Sequence, residues 1–377
     1  MSSTAVSESL ALFLELAAIP SPPGNEGAVA DRVVRELRDL GLRPEVDDSA
    51  PRAGSDTGNV YARLEPSTAG GTPIFLCAHL DTVQPTGPLE PVVEDGVVRN
   101  AGGTILGADN KAAVASMLDA VRRVLVENRP HAGIELVLTT REETGLQGAR
   151  AFDHERLLAR VGFVYDHAGP IGEVVVAAPW ARRMDVVFHG RSAHAGINPE
   201  DGRSAIAAAG RAVSDLRLGR IDHETTANVG RIEGGTARNV VPDTCRLMAE
   251  ARSRDDRKLV SLVQEMVDAF AFAAAVCDCE VETTLDELYA GYRLDRDDLA
   301  LRLALAALGQ AGYQARGVEV GGGADANVFI QHGLSCCVLA NAMVDIHSPD
   351  ERIAVADLEG MVEVTLALVE EARNVAA

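Results

Sequence analysis

Aromatic residues are scarce in this chain, at 4% of 377 residues with a single tryptophan. The core therefore has to be filled by small aliphatic side chains, which suits a sheet layered with helices. Positive charge is also short: 35 Lys and Arg stand against 56 Asp and Glu, a formal charge of −21. No basic cluster longer than a pair occurs, so the surface for tracking phosphates is missing and no nucleic-acid partner is expected. The acidic excess favours solubility, and it would repel an acidic substrate unless bound cations reverse the local field. No run of about 18 apolar residues is present, so no membrane span is expected. Met1-Ser2-Ser3-Thr4 lacks the positive start of a secretory signal, which points to the cytoplasm. The six cysteines agree with that compartment. Neither Cys277 with Cys279 nor Cys336 with Cys337 has the spacing of a structural zinc site, and most read as reduced buried thiols, Cys77 among them. A fixed repeat and a low-complexity segment are both missing, which leaves out a solenoid. So is a Gly-x-Ser-x-Gly elbow, leaving Ser-His-Asp hydrolysis without support. The loop Gly321-Gly322-Gly323-Ala324-Asp325-Ala326-Asn327 lacks the lysine and hydroxyl of a phosphate-binding loop. It reads as a glycine turn feeding a helix.

What is present is acid at the ends of apolar runs. Glu142-Glu143 follows the strand-like Ile134–Thr139. Adjacent carboxylates repel, and a nearby cation would relieve the repulsion. His79 and Asp81 follow Ile74-Phe75-Leu76-Cys77, Asp166 follows Gly162-Phe163-Val164-Tyr165, and His347 comes soon after Cys336-Cys337-Val338-Leu339. Short apolar runs separated by helical patterns read as parallel strands buried on both faces. Ligands bind at the carboxyl ends of such strands. Asp109 differs, because it precedes the helical pattern Ala113, Val114, Met117, Leu118, Val121 and approaches from a helix N-terminus. Two imidazoles with three or four carboxylates suit zinc, cobalt or manganese better than calcium. Five ligands exceed the needs of one four-coordinate zinc that keeps a water. Two ions sharing a carboxylate, about 3.5 to 4 Å apart, would use them all.

These residues belong to six stretches: Cys77–Val83, Gly107–Lys111, Glu142–Gly145, Gly190–Gly196, Gly234–Pro242 and His347–Glu351. In content and order they resemble the zinc-dependent exopeptidase and amidohydrolase family of peptidase T, carboxypeptidase G, aminoacylase and succinyl-diaminopimelate desuccinylase. The Gly-Ala-Asp-Asn-Lys form leans toward peptidase T. The resemblance implies that His79, Asp109 and Asp166 hold one Zn2+ and that Asp109, Glu143 and His347 hold the other. Asp81 would orient the His79 ring, and Glu142 would be the general base acting on the metal-bridging water. His194 would reach the site from a second domain, in cis or from a partner subunit, to stabilise the oxyanion. Asn239 and Arg238 match the segment that holds the substrate's carbonyl or carboxylate, with ordinary turn chemistry an equal alternative for Arg238.

Length implies about two domains. The expected architecture is α/β: a catalytic domain over 1–180 and 292–377, with a mostly parallel sheet flanked by helices. Residues 181–291 would form an inserted α+β lid, a βαββαβ sandwich that the resemblance makes a homodimer interface. A hydrolase of small peptides is expected. Alternatives are an N-acyl-amino-acid amidohydrolase and a catalytically silent metal-binding protein. The remaining histidines read mostly as surface groups, with His167 beside Asp166 able to orient it.

Overall fold

The computed structural model describes residues 7–375. The chain folds into two compact units. One runs up to Val176 and resumes over Arg293–Glu319 and from Ala324 onward; the other is Ala177–Tyr292 with Val320–Gly323.

The first unit is built on a nine-stranded, mostly parallel sheet. At its centre lie, in spatial order, Ile134–Thr139, Ile74–His79, Val161–His167 and Ser335–Ala340, paired in parallel. Val60–Leu64 borders them antiparallel on one side and Glu173–Ala178 on the other. Every residue of Ile74–His79 and Ile134–Thr139 is buried, which is why these strands read as nearly continuous apolar runs, interrupted by Glu135, instead of alternating ones. Each fully buried Leu or Phe here contributes roughly 1.5–3 kcal/mol. Helix Ala108–Val126 is buried along most of its length and packs on Glu8–Ala17 and Val355–Asn374. Helix Gly27–Asp39 buries Val29, Ala30, Val33, Val34 and Leu37, the three-four spacing of one helical face.

Parallel register decides the position of the site. Ile74 pairs with both Ile134 and Val161, and His79 stands opposite Thr139. The carboxyl ends of the central strands therefore finish together. A small sheet of Pro91–Glu94, Val97–Asn100 and Arg352–Ala354 links the chain before Asp109 to the chain after His347.

The second unit is a five-stranded antiparallel sheet in the order Gly219–Arg220, Thr225–Gly234, Thr244–Ser253, Trp180–His189, Glu280–Tyr289. Phe188, Val186 and Met184 stand opposite Cys245, Leu247 and Ala249 in the register, and with Ala251 they line the buried face. Helix Ala205–Asp215 starts where Ser204 accepts from the Ala207 N–H, and Asp256–Val276 where Asp255 accepts from the Arg257 and Lys258 N–H groups. Among the described residues, Asp256–Val276 is long and apolar enough to cross a membrane. Yet it carries Glu265 and Asp268 and buries Leu259, Leu262, Val263, Met266, Phe270 and Ala273 in this unit's core. It is built as a core helix.

The reading of the spare histidines as surface groups is corrected for His131 and His154, which are buried. His154 sits against Phe152 and Phe329 and stacks on His332; apolar neighbours from distant segments decided its burial.

Candidate metal centre

At the shared strand ends the side chains converge. His79 closes its strand with Nδ1 2.9 Å from the Asp81 carbonyl oxygen. The proton on Nδ1 donates to that carbonyl, which turns Nε2 toward Asp109 Oδ1 at 3.1 Å and Asp166 Oδ1 at 3.5 Å. Asp109 and Asn110 depart from helical geometry at the start of Ala108–Val126, and their peptide is cis. The two Asp109 oxygens face different rings, Oδ1 toward His79 and Oδ2 3.2 Å from His347 Nε2. His347 is also 2.9 Å from Glu143 Oε1.

Two clusters result, His79 with Asp109 and Asp166, and Asp109 with Glu143 and His347. Within each, the ligand atoms lie within 4.8 Å of one another. A neutral imidazole lone pair facing a carboxylate is repulsive. The arrangement is satisfied only by protons on the rings or by cations among the side chains, and the mixed nitrogen and oxygen donors fit a transition metal or zinc.

The charges show what happens without cations. Burial alone would depress His79, but Asp109, Asp166 and Asp81 raise its pKa well above the usual imidazole range. His347, hydrogen-bonded to Asp109 and Glu143, is raised to about 10. Burial would raise Asp109, yet His347 and His79 hold it well below the usual carboxylate range. Asp166 is pushed up to about 7, chiefly by burial, and Glu142 well above its ordinary value by burial and then Asp166.

The adjacent glutamates are divided by Asp81. Its Oδ1 accepts the Glu142 N–H at 2.9 Å and its Oδ2 the Glu143 N–H at 3.1 Å. The Asp81 carboxylate is 3.5 Å from the His79 ring, farther than the Asp81 carbonyl that holds it. Glu143 turns to His347, whereas no side-chain hydrogen bond ties Glu142 among the described residues. The remaining predicted residues lie in the second unit. Exposed His194 and Asn239 are neighbours there, joined by a bridge between His194 and Val240 and by the Ala195 N–H donating to the Asn239 carbonyl; Arg238 is exposed.

Comparison with known proteins gives the geometry its family. Residues 181–276 match the peptidase dimerisation domain, and residues 59–182 match peptidase family M28. The Bacillus subtilis (strain 168) protein YqjE is 39% identical over 96% of this chain and 97% of its own. The structure of aminopeptidase PepT from Bacillus cereus ATCC 10987 is 37% identical, with a TM-score of 0.86 over 97% of this chain and 98% of that one. The chain belongs to the peptidase T-like metal-dependent peptidases. A tripeptidase from Staphylococcus aureus subsp. aureus Mu50 overlays with a TM-score of 0.91 at 31% identity, covering 98% of each chain.

In this peptidase several polar residues around the site escaped the sequence reading. Glu351 is buried and accepts the N–H groups of Leu106, Gly107 and Asp109 at 2.8, 2.8 and 3.0 Å. It ties the segment carrying His347 to the loop carrying Asp109. Asp325, from the glycine loop, accepts the Thr139 hydroxyl and the Cys77 thiol, from two neighbouring central strands. Asn110 donates to the Tyr165 carbonyl beside Asp166 and accepts from Asn341. The hydroxyl, acid and amide types were visible in the sequence, but their partners lie far along the chain. His167, by contrast, pairs with Glu173 at 2.7 Å.

Proposed function

We propose that this peptidase hydrolyses small peptides, di- or tripeptides, using two Zn2+ ions, with Co2+ or Mn2+ as substitutes. The observation that carries the reading is Asp109, whose two oxygens face different imidazoles in two separate ligand clusters. His79, Asp109 and Asp166 would hold one ion, and Asp109, Glu143 and His347 the other. Bound there, divalent ions polarise a scissile carbonyl and make water a nucleophile at neutral pH.

Glu142 acts as the general base and then the general acid. Among the described residues no side-chain hydrogen bond ties it, and burial and Asp166 raise its pKa; in this role it takes a proton from the attacking water and passes it to the leaving amine. His194 serves as the oxyanion donor. The Gly196 N–H donates to its Nδ1 at 3.1 Å, which leaves the proton of the neutral ring on Nε2, free to donate. Asn239 and Arg238 hold the substrate's carbonyl or terminal carboxylate. The names of the similar aminopeptidase and tripeptidase support a short peptide substrate. The match of 181–276 to a dimerisation domain supports a homodimer through that unit. Six free thiols suit a reducing cytoplasm.

The deciding experiment is mass-spectrometric product detection from a panel of dipeptides, tripeptides and N-acyl amino acids, with the zinc-loaded parent beside Glu142→Ala. The parent is expected to cleave peptides, and the variant to retain both ions while kcat falls about 10²–10⁴-fold. Cleavage of N-acyl amino acids alone would make the enzyme a deacylase. Loss of metal in the variant would make Glu142 a ligand.

A further inference from the structure

The turn that presents Glu142 and Glu143 begins with Arg141, whose φ is +51°. That left-handed conformation is uncommon for a residue with a side chain. It leads into a turn in which the Gly145 and Leu146 N–H groups donate to the Glu142 carbonyl, each at 2.9 Å. Something has to hold Arg141 there, and the structure shows contacts at both of its ends.

Its backbone N–H donates to Glu26 Oε1 at 3.0 Å. Glu26 is fully buried. The same oxygen accepts the Gly24 N–H at 2.9 Å, while Oε2 takes the Ser55 hydroxyl. The guanidinium of Arg141 donates through Nη1 to the carbonyls of Ala53 and Gly54, each at 3.0 Å. A Cβ on Gly54 would lie 2.5 Å from that nitrogen and displace the guanidinium, and Gly54 itself has φ +76°, a conformation that favours glycine. The segments Gly24–Gly27 and Ala53–Asp56 are themselves joined, since the Asp56 N–H donates to the Gly24 carbonyl and the Gly27 N–H to Asp56 Oδ1. Together with Asp81, Glu26 thus supplies carboxylate acceptors for the N–H groups of Arg141, Glu142 and Glu143. Glu26 is a buried carboxylate that, besides tying its own loop through Gly24 and Ser55, reaches 115 positions along the chain to the peptide just before the base.

We infer that Glu26 and Arg141 are positioning residues for the catalytic pair: Glu26 fixes the Arg141 amide, the guanidinium fixes its side chain, and together they set where Glu142 and Glu143 point. The inference deepens the proposed mechanism and rests on it for its kinetic consequence, but the geometric part stands alone. Glutamine at position 26 keeps every contact, because its oxygen accepts both N–H groups and its amide donates to the Ser55 hydroxyl. Alanine keeps none.

The test compares Glu26→Ala, Glu26→Gln, Arg141→Ala and Arg141→Gly in the full-length zinc-loaded protein. Amide hydrogen exchange at positions 141–143 is expected to accelerate about tenfold or more in Glu26→Ala and to stay near the parent in Glu26→Gln. In the same order kcat falls about 10–100-fold or holds, with KM changed by less than about threefold. Arg141→Gly is expected to outperform Arg141→Ala, since glycine adopts the left-handed turn freely. That pair decides the matter if Glu26→Ala does not fold. Parent-like exchange and kcat in Glu26→Ala, or Arg141→Ala matching Arg141→Gly, would overturn the inference. A parent that cleaves no peptide would instead overturn the mechanism, and exchange alone would then decide the positioning role.

Discussion

At the scale of single residues, the glutamate turn depends on one acceptor, Asp81, that its isostere cannot replace. Asp81 is fully buried, and each of its oxygens accepts one backbone N–H, from Glu142 and from Glu143. Asparagine has the same shape but one donor group, so whichever way the amide turns, one buried N–H meets an NH2. Leaving such a group unsatisfied costs about 1–3 kcal/mol, and a displaced ligand support lowers metal affinity or activity about 10–100-fold. Asp81→Asn is therefore expected to lower Tm by several degrees and weaken zinc binding, as differential scanning calorimetry and zinc titration would show. A variant with parent affinity for both ions would remove Asp81 from the support of the glutamate turn. Acid or imidazole at or after the end of an apolar run made His79, Asp81, the Glu142–Glu143 pair, Asp166 and His347 legible as candidate ligands, and the start of a helix did so for Asp109; which of them would hold metal came only from the family resemblance. Glu26, Glu351 and Asp325 were not legible. Their work is to accept hydrogen bonds from backbone or hydroxyl groups distant in sequence, which leaves no local pattern to read.

At the scale of elements, the strands were legible for the reason that they are doubly buried, while their neighbours in space were not. The order that sets Ile74–His79 between Ile134–Thr139 and Val161–His167 depends on side-chain fit across the pleat. Gly162 shows this. It stands opposite Phe75 in the parallel pair, and a Cβ there would fall 2.0 Å from the Phe75 ring. The ring has little room to retreat, since its centroid is 4.8 Å from that of Phe329. Gly162→Ala is expected to destabilise the first unit by about 1–3 kcal/mol through overpacking, measured as a lower midpoint in urea. Combining it with Phe75→Leu should recover part of the loss, and a double-mutant cycle gives the coupling. Additive effects would mean that the ring does not press on this position. The small sheet of Pro91–Glu94, Val97–Asn100 and Arg352–Ala354 went unread because its strands are short and mostly half-buried, so no apolar run announces them.

At the scale of the whole molecule, the net charge of −21 puts the clustered acids of the site in a protein already rich in negative charge, and protons take the place of cations when metal is absent. His347, at about 10, is charged at neutral pH through its hydrogen bonds to Asp109 and Glu143. His79 is charged as well, its carboxylate partners overcoming burial. Both rings must become neutral to ligate, so binding expels protons, and affinity rises with pH by about tenfold per unit for each proton released. The sign for stability follows from the same shifts. A folded pKa above the unfolded 6.5 stabilises the metal-free protein below that value, and the contribution is lost as pH climbs toward about 10. Metal-free protein is thus expected to lose Tm through this alkaline window, whereas the zinc-loaded protein, whose imidazoles no longer titrate, should hold steady. Zinc titration calorimetry in buffers of different ionisation enthalpy counts the protons directly, and more than one is expected to leave at neutral pH as both ions bind. Release of none would mean that the imidazoles are neutral in the metal-free protein, and that its acids are held apart by something other than charge on His79 and His347.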